Sequence, residues 1–356
     1  MRPWRYRREQ TSPDRPGRGS PRLHPLAPWQ MPGLRRLARG VDILGLPVEL
    51  GPPVHRTALI GLLVRRQSSR LFAARDREAG TSLIQVIHEP GPDHWLITRF
   101  IAAAGSAVGD PVAYWQAILE EAVRLAGSYG IKRLHALLPP GGPVNEAFQR
   151  AGFQPFRPLT LMLAEGRPAS SPERERVRVQ SSHDAWSVMR LYERVTPRPV
   201  LYAESRTRAS WQPGRRAGWR VTGFLARDDE QSMAYCQVRS RHARHLLEVM
   251  ADPQAMGLVP CLVATALERV GVREGDRVWA LVPDDLPGLR GQLESLGFQA
   301  VESRVWAARY TAQRVRARAA KKARALRDLQ DAVAAGVPVY SQMRREAQPL
   351  VEVTTD

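Results

Sequence analysis

The sequence predicts an α/β protein in which one domain is written twice, each copy a mixed sheet flanked by helices. Three observations predict it. Residues recur in order: Phe72, Ala74, Arg75, Asp76, Glu78, Gln85 and Val86 return as Phe224, Ala226, Arg227, Asp228, Glu230, Gln237 and Val238. Further on, Ala136, Leu137 and Pro139 answer to Ala280, Leu281 and Pro283, and Gly152, Phe153 and Gln154 to Gly297, Phe298 and Gln299. The step, 152 residues at first and 144–145 later, is far longer than the roughly 20–50 residues of a solenoid unit. Finally, each copy reads as consecutive strands followed by strands alternating with helices, the order of a mixed sheet with helices on its faces.

Residues 1–40 begin with a stretch rich in Arg, Pro, Gly and Ser and without a period, which predicts a disordered basic arm. The first copy spans 41–166. It opens on a short helix over 56–65, then two strands, "SRLFAARD" and "TSLIQVIHE", around a polar turn. A third strand, "HWLITRFIAA", precedes Asp110-Pro111, a cap followed by a first-turn proline. The helix that starts there places Val112, Trp115, Ile118, Leu119, Ala122 and Leu125 on one face. Strand "KRLHALL", helix "GPVNEAFQRAG" and the extended "FQPFRPLTLML" complete the copy. Residues 167–176, rich in Pro, Ser and charge, form the linker.

The second copy spans 177–312. After helix "HDAWSVMRLYERV" come strands "WRVTGFLARD", "QSMAYCQVRS" and "RHLLEVMAD", helix "CLVATALERVG", strand "DRVWALVP", helix "LPGLRGQLESLG" and strand "FQAVESRVWAARYTA". Residues 313–356 carry a basic helix and a tail, with Arg and Lys surrounding an apolar stripe.

Composition bounds the partners. The net charge is +18, but ten arginines against Glu9 and Asp14 give residues 1–40 a charge of +8. Residues 309–356 carry +5, which leaves +5 for 41–308. The excess sits on the tails, so nucleic acid is an unlikely partner, to be met if at all through those tails. No apolar run reaches the roughly 18 residues of a membrane helix and no secretory leader is evident, which predicts a cytoplasmic protein without membrane contact. Cys236 and Cys261 lack metal-ligand spacing and read as small core residues; no metal site is predicted.

Two local features bear on chemistry. Glu248 is a carboxylate amid apolar neighbours in the strand "HLLEVMAD". His245 stands an odd number of residues away, so a regular strand turns the two to opposite faces. Residues 206–220 combine Arg206, Arg208, Arg215, Arg216 and Arg220 with Trp211 and Trp219, a set suited to gripping an anionic or planar ligand.

Strand–strand–strand, long helix, strand, short helix with a Gly-Phe exit, strand: with "NEAFQRAGFQPF" and "GQLESLGFQAV", this order in both copies resembles the GNAT acyltransferase superfamily. The resemblance implies acyl transfer from acetyl-coenzyme A, or another acyl-coenzyme A, to a small-molecule amine or peptide acceptor. It implies a pyrophosphate cradle of pattern Q/R-x-x-G-x-G/A at a helix start, where free N–H groups and the helix dipole attract anions. Gln254, Ala255, Met256, Gly257, Leu258 and Val259 occupy that place. Gln254 and Gly257 match; Val259 departs from the Gly/Ala pattern, and its branched side chain is expected to obstruct phosphates. The first copy has only "AAAGSAVGD" there. The resemblance makes Glu248 the general base. It also calls for a Tyr four residues before the Gly-Phe glycine, where this chain has Phe148 and Leu293, neither with a proton to give. The resulting expectation is an N-acyltransferase with its site in the second copy and a degenerate first copy. The alternative is a catalytically inactive binding or regulatory protein on the same fold.

Overall fold

The computed structural model of the protein describes residues 21–26, 41–47, 69–76, 80–88, 93–102, 110–166, 168, 176–216, 218–227 and 233–311. The helices expected over 56–65 and in 313–356, most of the arm and nearly all of the linker lie outside these residues.

The first half contains β1 (Leu23–Pro25), β2 (Val41–Asp42), β3 (Ser69–Asp76), β4 (Gly80–His88), β5 (His94–Ala102), α1 (Pro111–Ser128), β6 (Arg133–Leu138), α2 (Gly142–Arg150) and β7 (Gln154–Glu165). The second contains β8 (Val177–Val179), α3 (Ala185–Val195), α4 (Arg198–Glu204), β9 (Gly214–Arg216), β10 (Trp219–Arg227), β11 (Met233–Arg241), β12 (Arg244–Ala251), α5 (Val259–Val270), β13 (Arg277–Pro283), α6 (Leu289–Glu294) and β14 (Gln299–Tyr310). From β3 to β7 and from β10 to β14 the order is the same: three strands, long helix, strand, short helix, strand.

Local chemistry explains these elements. The Asp110 carboxylate accepts from the N–H groups of Val112 (2.9 Å) and Ala113 (3.2 Å), and Pro111 fills a first-turn position where a missing N–H costs nothing. Ile118, Leu119, Ala122 and Ala126 then turn inward at helical spacing. Helix α5 is apolar around most of its circumference, and every residue from Cys261 to Leu267 is buried, as the helix lies across the second half's sheet. Both cysteines are buried and unpaired with each other.

Among the described residues the strands form one 14-stranded sheet, in the order β1-β3-β4-β5-β6-β14-β7-β13-β12-β11-β10-β8. The halves therefore exchange their last strands. β14 lies between β6 and β7, with Val305 opposite Leu138 and Tyr310 opposite Arg133. β7 in turn pairs with β13, Arg277 opposite Glu165 through Pro283 opposite Leu159.

Within each half one strand pair is parallel and incomplete. β5 and β6 pair from His94↔Arg133 to Ile97↔Ala136 and no further. β12 and β13 pair from Arg244↔Arg277 to Glu248↔Leu281. In the first half β2 takes the place β6 leaves beside β5, with Val41 opposite Ala102, Asp42 opposite Ile101, the Ile43 N–H on the Phe100 carbonyl and the Phe100 N–H on the Asp42 carboxylate. In the second half no described strand fills the corresponding gap between β12 and β13, where a buried backbone group without a partner is costly unless something else supplies one.

One expectation needs correction. Residues 23–25 of the supposedly disordered arm form an edge strand antiparallel to β3, Leu23 opposite Ala74. Leu23 is 3% exposed and joins the first half's apolar cluster, so burying one leucine and covering the edge of β3 orders this piece.

Candidate active site between the two halves

Glu248 is the last β12 residue paired with β13, beside the opening where those strands part. Its side chain is 19% exposed and lines a cavity of about 130 Å³ to which both halves contribute. From the first half come His94, Thr98, His135 and Phe156; from the second, Arg206, Trp219 and Arg239. A smaller cavity of about 30 Å³ shares Glu204, Arg206, Glu248 and Trp306. His245 faces away, as its odd separation from Glu248 requires: Leu246 and Glu248 line this cavity, whereas His245 lines a cleft elsewhere.

A chain of alternating charges runs beneath the cavity. Arg206 sits between two carboxylates, Nε to Glu204 Oε2 at 2.6 Å and Nη1 to Glu248 Oε1 at 2.5 Å. Arg157, on β7, bonds Glu204 at 3.0 Å and Asp285 at 2.9 Å. The Tyr192 hydroxyl donates to Glu204 at 2.9 Å, and Arg239 approaches Glu248 at 3.8 Å. Burial pushes the Glu204 carboxyl up, but Arg206, Arg157 and the Tyr192 hydroxyl outweigh it and hold the group below its ordinary value. The Tyr192 phenol is raised by burial and by the Glu204 charge beside it. The result is a preorganised ionic floor that holds Glu248 by one edge.

The Arg/Trp loop contributes differently from the expectation of a surface grip. Trp211 is fully buried, and the Arg206 guanidinium lies 4.9 Å from its ring centroid. Trp219 reaches the cavity, while Arg220 points to the other face of the sheet.

His135 and His94 stack at 4.4 Å in the cavity wall. The His135 Nε2 lies 3.0 Å from the Ala203 carbonyl, to which it donates as a neutral ring. Burial, helped by His94, lowers the His135 pKa from 6.5 to about 3. The unfolded chain therefore takes up a proton near pH 6.5 that the folded protein refuses until about pH 3. Stability from this group is complete above pH 6.5 and falls as the pH drops toward 3. Between pH 6.5 and 5 the loss is about 2 kcal/mol, in a range where most carboxylates remain charged. His135→Gln keeps a donor for Ala203 and should flatten that part of the stability profile, as read by urea unfolding at a series of pH values. An unchanged slope in the variant would contradict a buried neutral ring.

The segment expected to cradle a pyrophosphate does lie at a helix start. Residues Pro253–Leu258 form a turn of 3₁₀ helix leading directly into α5. Gln254 and Gly257 are exposed and Met256 is half-buried. A Cβ built on Gly257 meets nothing within 4 Å, so the surface there is open. Ala255 and Leu258 turn into the core. Val259 is also fully buried among core residues and does not obstruct the outer surface, contrary to expectation. Helical phase decides this: Val259 falls on the stripe of α5 that packs on the sheet. The N–H groups are more engaged than an open helix end offers, with Ala255 bonded to the Asp252 carbonyl and Val259 to that of Met256. In the first half the corresponding helix start is filled by the Asp110 carboxylate, which repels a phosphate. Phe148 and Leu293 are both fully buried core residues.

Sequence reasoning did not find Arg157, Glu204, Asp285, His94 or His135. The available signal was an Arg inside the otherwise extended, apolar segment "FQPFRPLTLML", a residue type rarely buried unless paired.

No family model matches the chain, and no curated protein matches it. Among solved structures the chain is similar to a tandem GNAT protein from the clavulanic acid biosynthesis pathway, at 15% identity and a TM-score of 0.48, over 82% of this chain and 99% of that one. It is similar to a GCN5-related N-acetyltransferase from Sphaerobacter thermophilus at 12% identity and a TM-score of 0.48, over 85% and 97% of the two chains. A GCN5-related N-acetyltransferase from Kribbella flavida shows 16% identity and a TM-score of 0.42, over 71% and 93%.

Proposed function

We propose that the protein is an acyl-coenzyme-A-dependent N-acyltransferase whose working site lies in the second half. The observation that carries this reading is the position of Glu248, the last paired residue before β12 and β13 part, with its carboxylate in the shared cavity. The unpaired backbone past that point suits an extended chain bearing amides, such as the pantetheine arm of coenzyme A. Acetyl-coenzyme A would supply the acyl group as a thioester. Gln254 and the open surface at Gly257 would meet its pyrophosphate at the mouth of the opening. Arg206 holds Glu248 through Oε1; Oε2, with Arg239 3.8 Å away, would take a proton from an attacking amine, directly or through water. The apolar wall, including Leu246, Leu281 and Trp306, would exclude bulk water from the thioester. A small-molecule amine or peptide is the acceptor class that fits this chemistry.

A second reading, a non-catalytic binding protein, is favoured by one observation: Phe148 and Leu293 bury apolar side chains where a proton donor for the leaving thiolate is wanted. Titration calorimetry with acetyl-coenzyme A tests the proposal. Binding is expected, and Gly257→Arg should abolish it by filling the open surface without disturbing the core. Absence of heat at millimolar ligand, or unchanged binding by the variant, would refute a coenzyme site at this mouth. Binding without thiol release across a panel of amines would favour the second reading.

A further inference from the structure

A second cleft lies on the opposite face of β10, β11 and β12 from Glu248. Its volume is about 400 Å³, within the usual range of roughly 300–1,000 Å³ for small-molecule sites. Alternation along β10 brings Arg220 and Thr222 to it, and register brings a row across three strands: Arg220 stands opposite Ser240, and Ser240 opposite His245. Arg241 and His242 enter from the β11–β12 hairpin, where His242 adopts a left-handed φ of +52°. Arg269 enters from the last turn of α5. Among the described residues no Asp or Glu lines this cleft.

The interior wall is fixed. His245, 4% exposed, lies 3.4 Å from Asp276 Oδ2 through Nε2 and 2.9 Å from the Ser240 hydroxyl through Nδ1. Asp276 is itself held by the Arg273 N–H at 2.8 Å. This chain pins the Ser240 side chain at the cleft wall and keeps the Asp276 charge behind the ring. Helix C-termini carry partial negative charge, and Arg269 offsets the end of α5. Three guanidinium groups and the Thr222 hydroxyl around one concavity form a set of donors matched to a tetrahedral oxyanion, while the Ser240 O–H is spent on His245 Nδ1. Val179 and Val270 add an apolar side.

We propose that this cleft is a second ligand site, which binds a small molecule through a phosphate group. The proposal is independent of coenzyme binding at Gly257. The test is calorimetry on the full chain at fixed ionic strength, with inorganic phosphate and adenosine 5′-monophosphate as probes. Binding of at least one probe is expected. It should weaken about tenfold or more in the double variant Arg220→Ala/Arg269→Ala, since two charged donors to the phosphate are lost. Both side chains are exposed, so the thermal midpoint should fall only by the small amount that Arg269 contributes at the end of α5. Arg290→Ala, a surface arginine elsewhere, should bind as the parent does, and so should Gly257→Arg. Tighter binding of the nucleotide would assign contacts to the ligand's body, and equal binding would assign recognition to the phosphate alone. No heat from either probe, full affinity in the double variant, or an equal loss in Arg290→Ala would overturn the proposal.

Discussion

Glu248→Gln should slow acetyl-coenzyme-A-dependent thiol release by roughly 10²–10⁴-fold, the range that a positioned general base contributes. The substitution keeps the shape of the side chain and its place beside Arg206, but an amide cannot take the amine's proton. Coenzyme affinity should stay close to that of the parent, because Glu248 lies in the cavity and the proposed pyrophosphate contacts lie at Gln254 and Gly257. The pairing of these two readings makes the result informative. A lost rate with intact affinity supports proton transfer at Glu248. An unchanged rate removes Glu248 from the chemistry and leaves it as one member of the ionic floor. Raising the pH should restore part of the variant's rate, since amines lose the proton unaided as the solution becomes more basic.

Arg157→Met is expected to destabilise the protein by about 3–5 kcal/mol, the usual cost of removing one partner from a buried ion pair. Arg157 and Glu204 side chains are each 8% exposed, so water does not replace the lost guanidinium. The lower end of the range is favoured, because Glu204 keeps Arg206 and the Tyr192 hydroxyl, and Asp285 at 19% exposure regains some solvent. Urea unfolding measures the effect. The double variant Arg157→Met/Glu204→Gln should be less unstable than the sum of its single variants, since the second change removes the charge the first one stranded. Strict additivity would mean that the two side chains do not act on each other. Arg157 comes from β7, the strand that the first half lends to the second, so this ion pair ties the halves where they interlock.

Much of the architecture was legible in the residues. Alternation and helical spacing placed the principal strands and helices within a few residues, because β4, β10 and β11 are central strands with clear apolar runs and α1 has a capped start. The recurring residues also anticipated the repeated order of elements. Strand exchange was not legible: β7 and β14 each bury residues on both faces, and nothing in such a pattern names the neighbour. The three-residue β1 was hidden within an Arg- and Pro-rich stretch, where a single leucine supplies the burial. Glu248 was singled out because a lone carboxylate in an apolar strand stands out, and the structure sets its side chain in the wall of a cavity. The ion pairs beside it were not legible, because the sequence shows Arg206 only as part of an Arg/Trp ligand grip, and Arg157, Glu204 and Asp285 come from separate segments that meet only when the sheet is assembled. The direction of Val259 depended on the 3₁₀ turn before α5, which sets the phase of the helix and is invisible to a motif.

The interlocked final strands also impose an order on biosynthesis. Residues 133–138 leave the ribosome early, yet one of their flanks has no partner until residues 305–310 emerge. Until then the nascent first half carries an open β edge, the kind of surface that recruits other chains. The chain thus closes its sheet last at its middle, not at its ends.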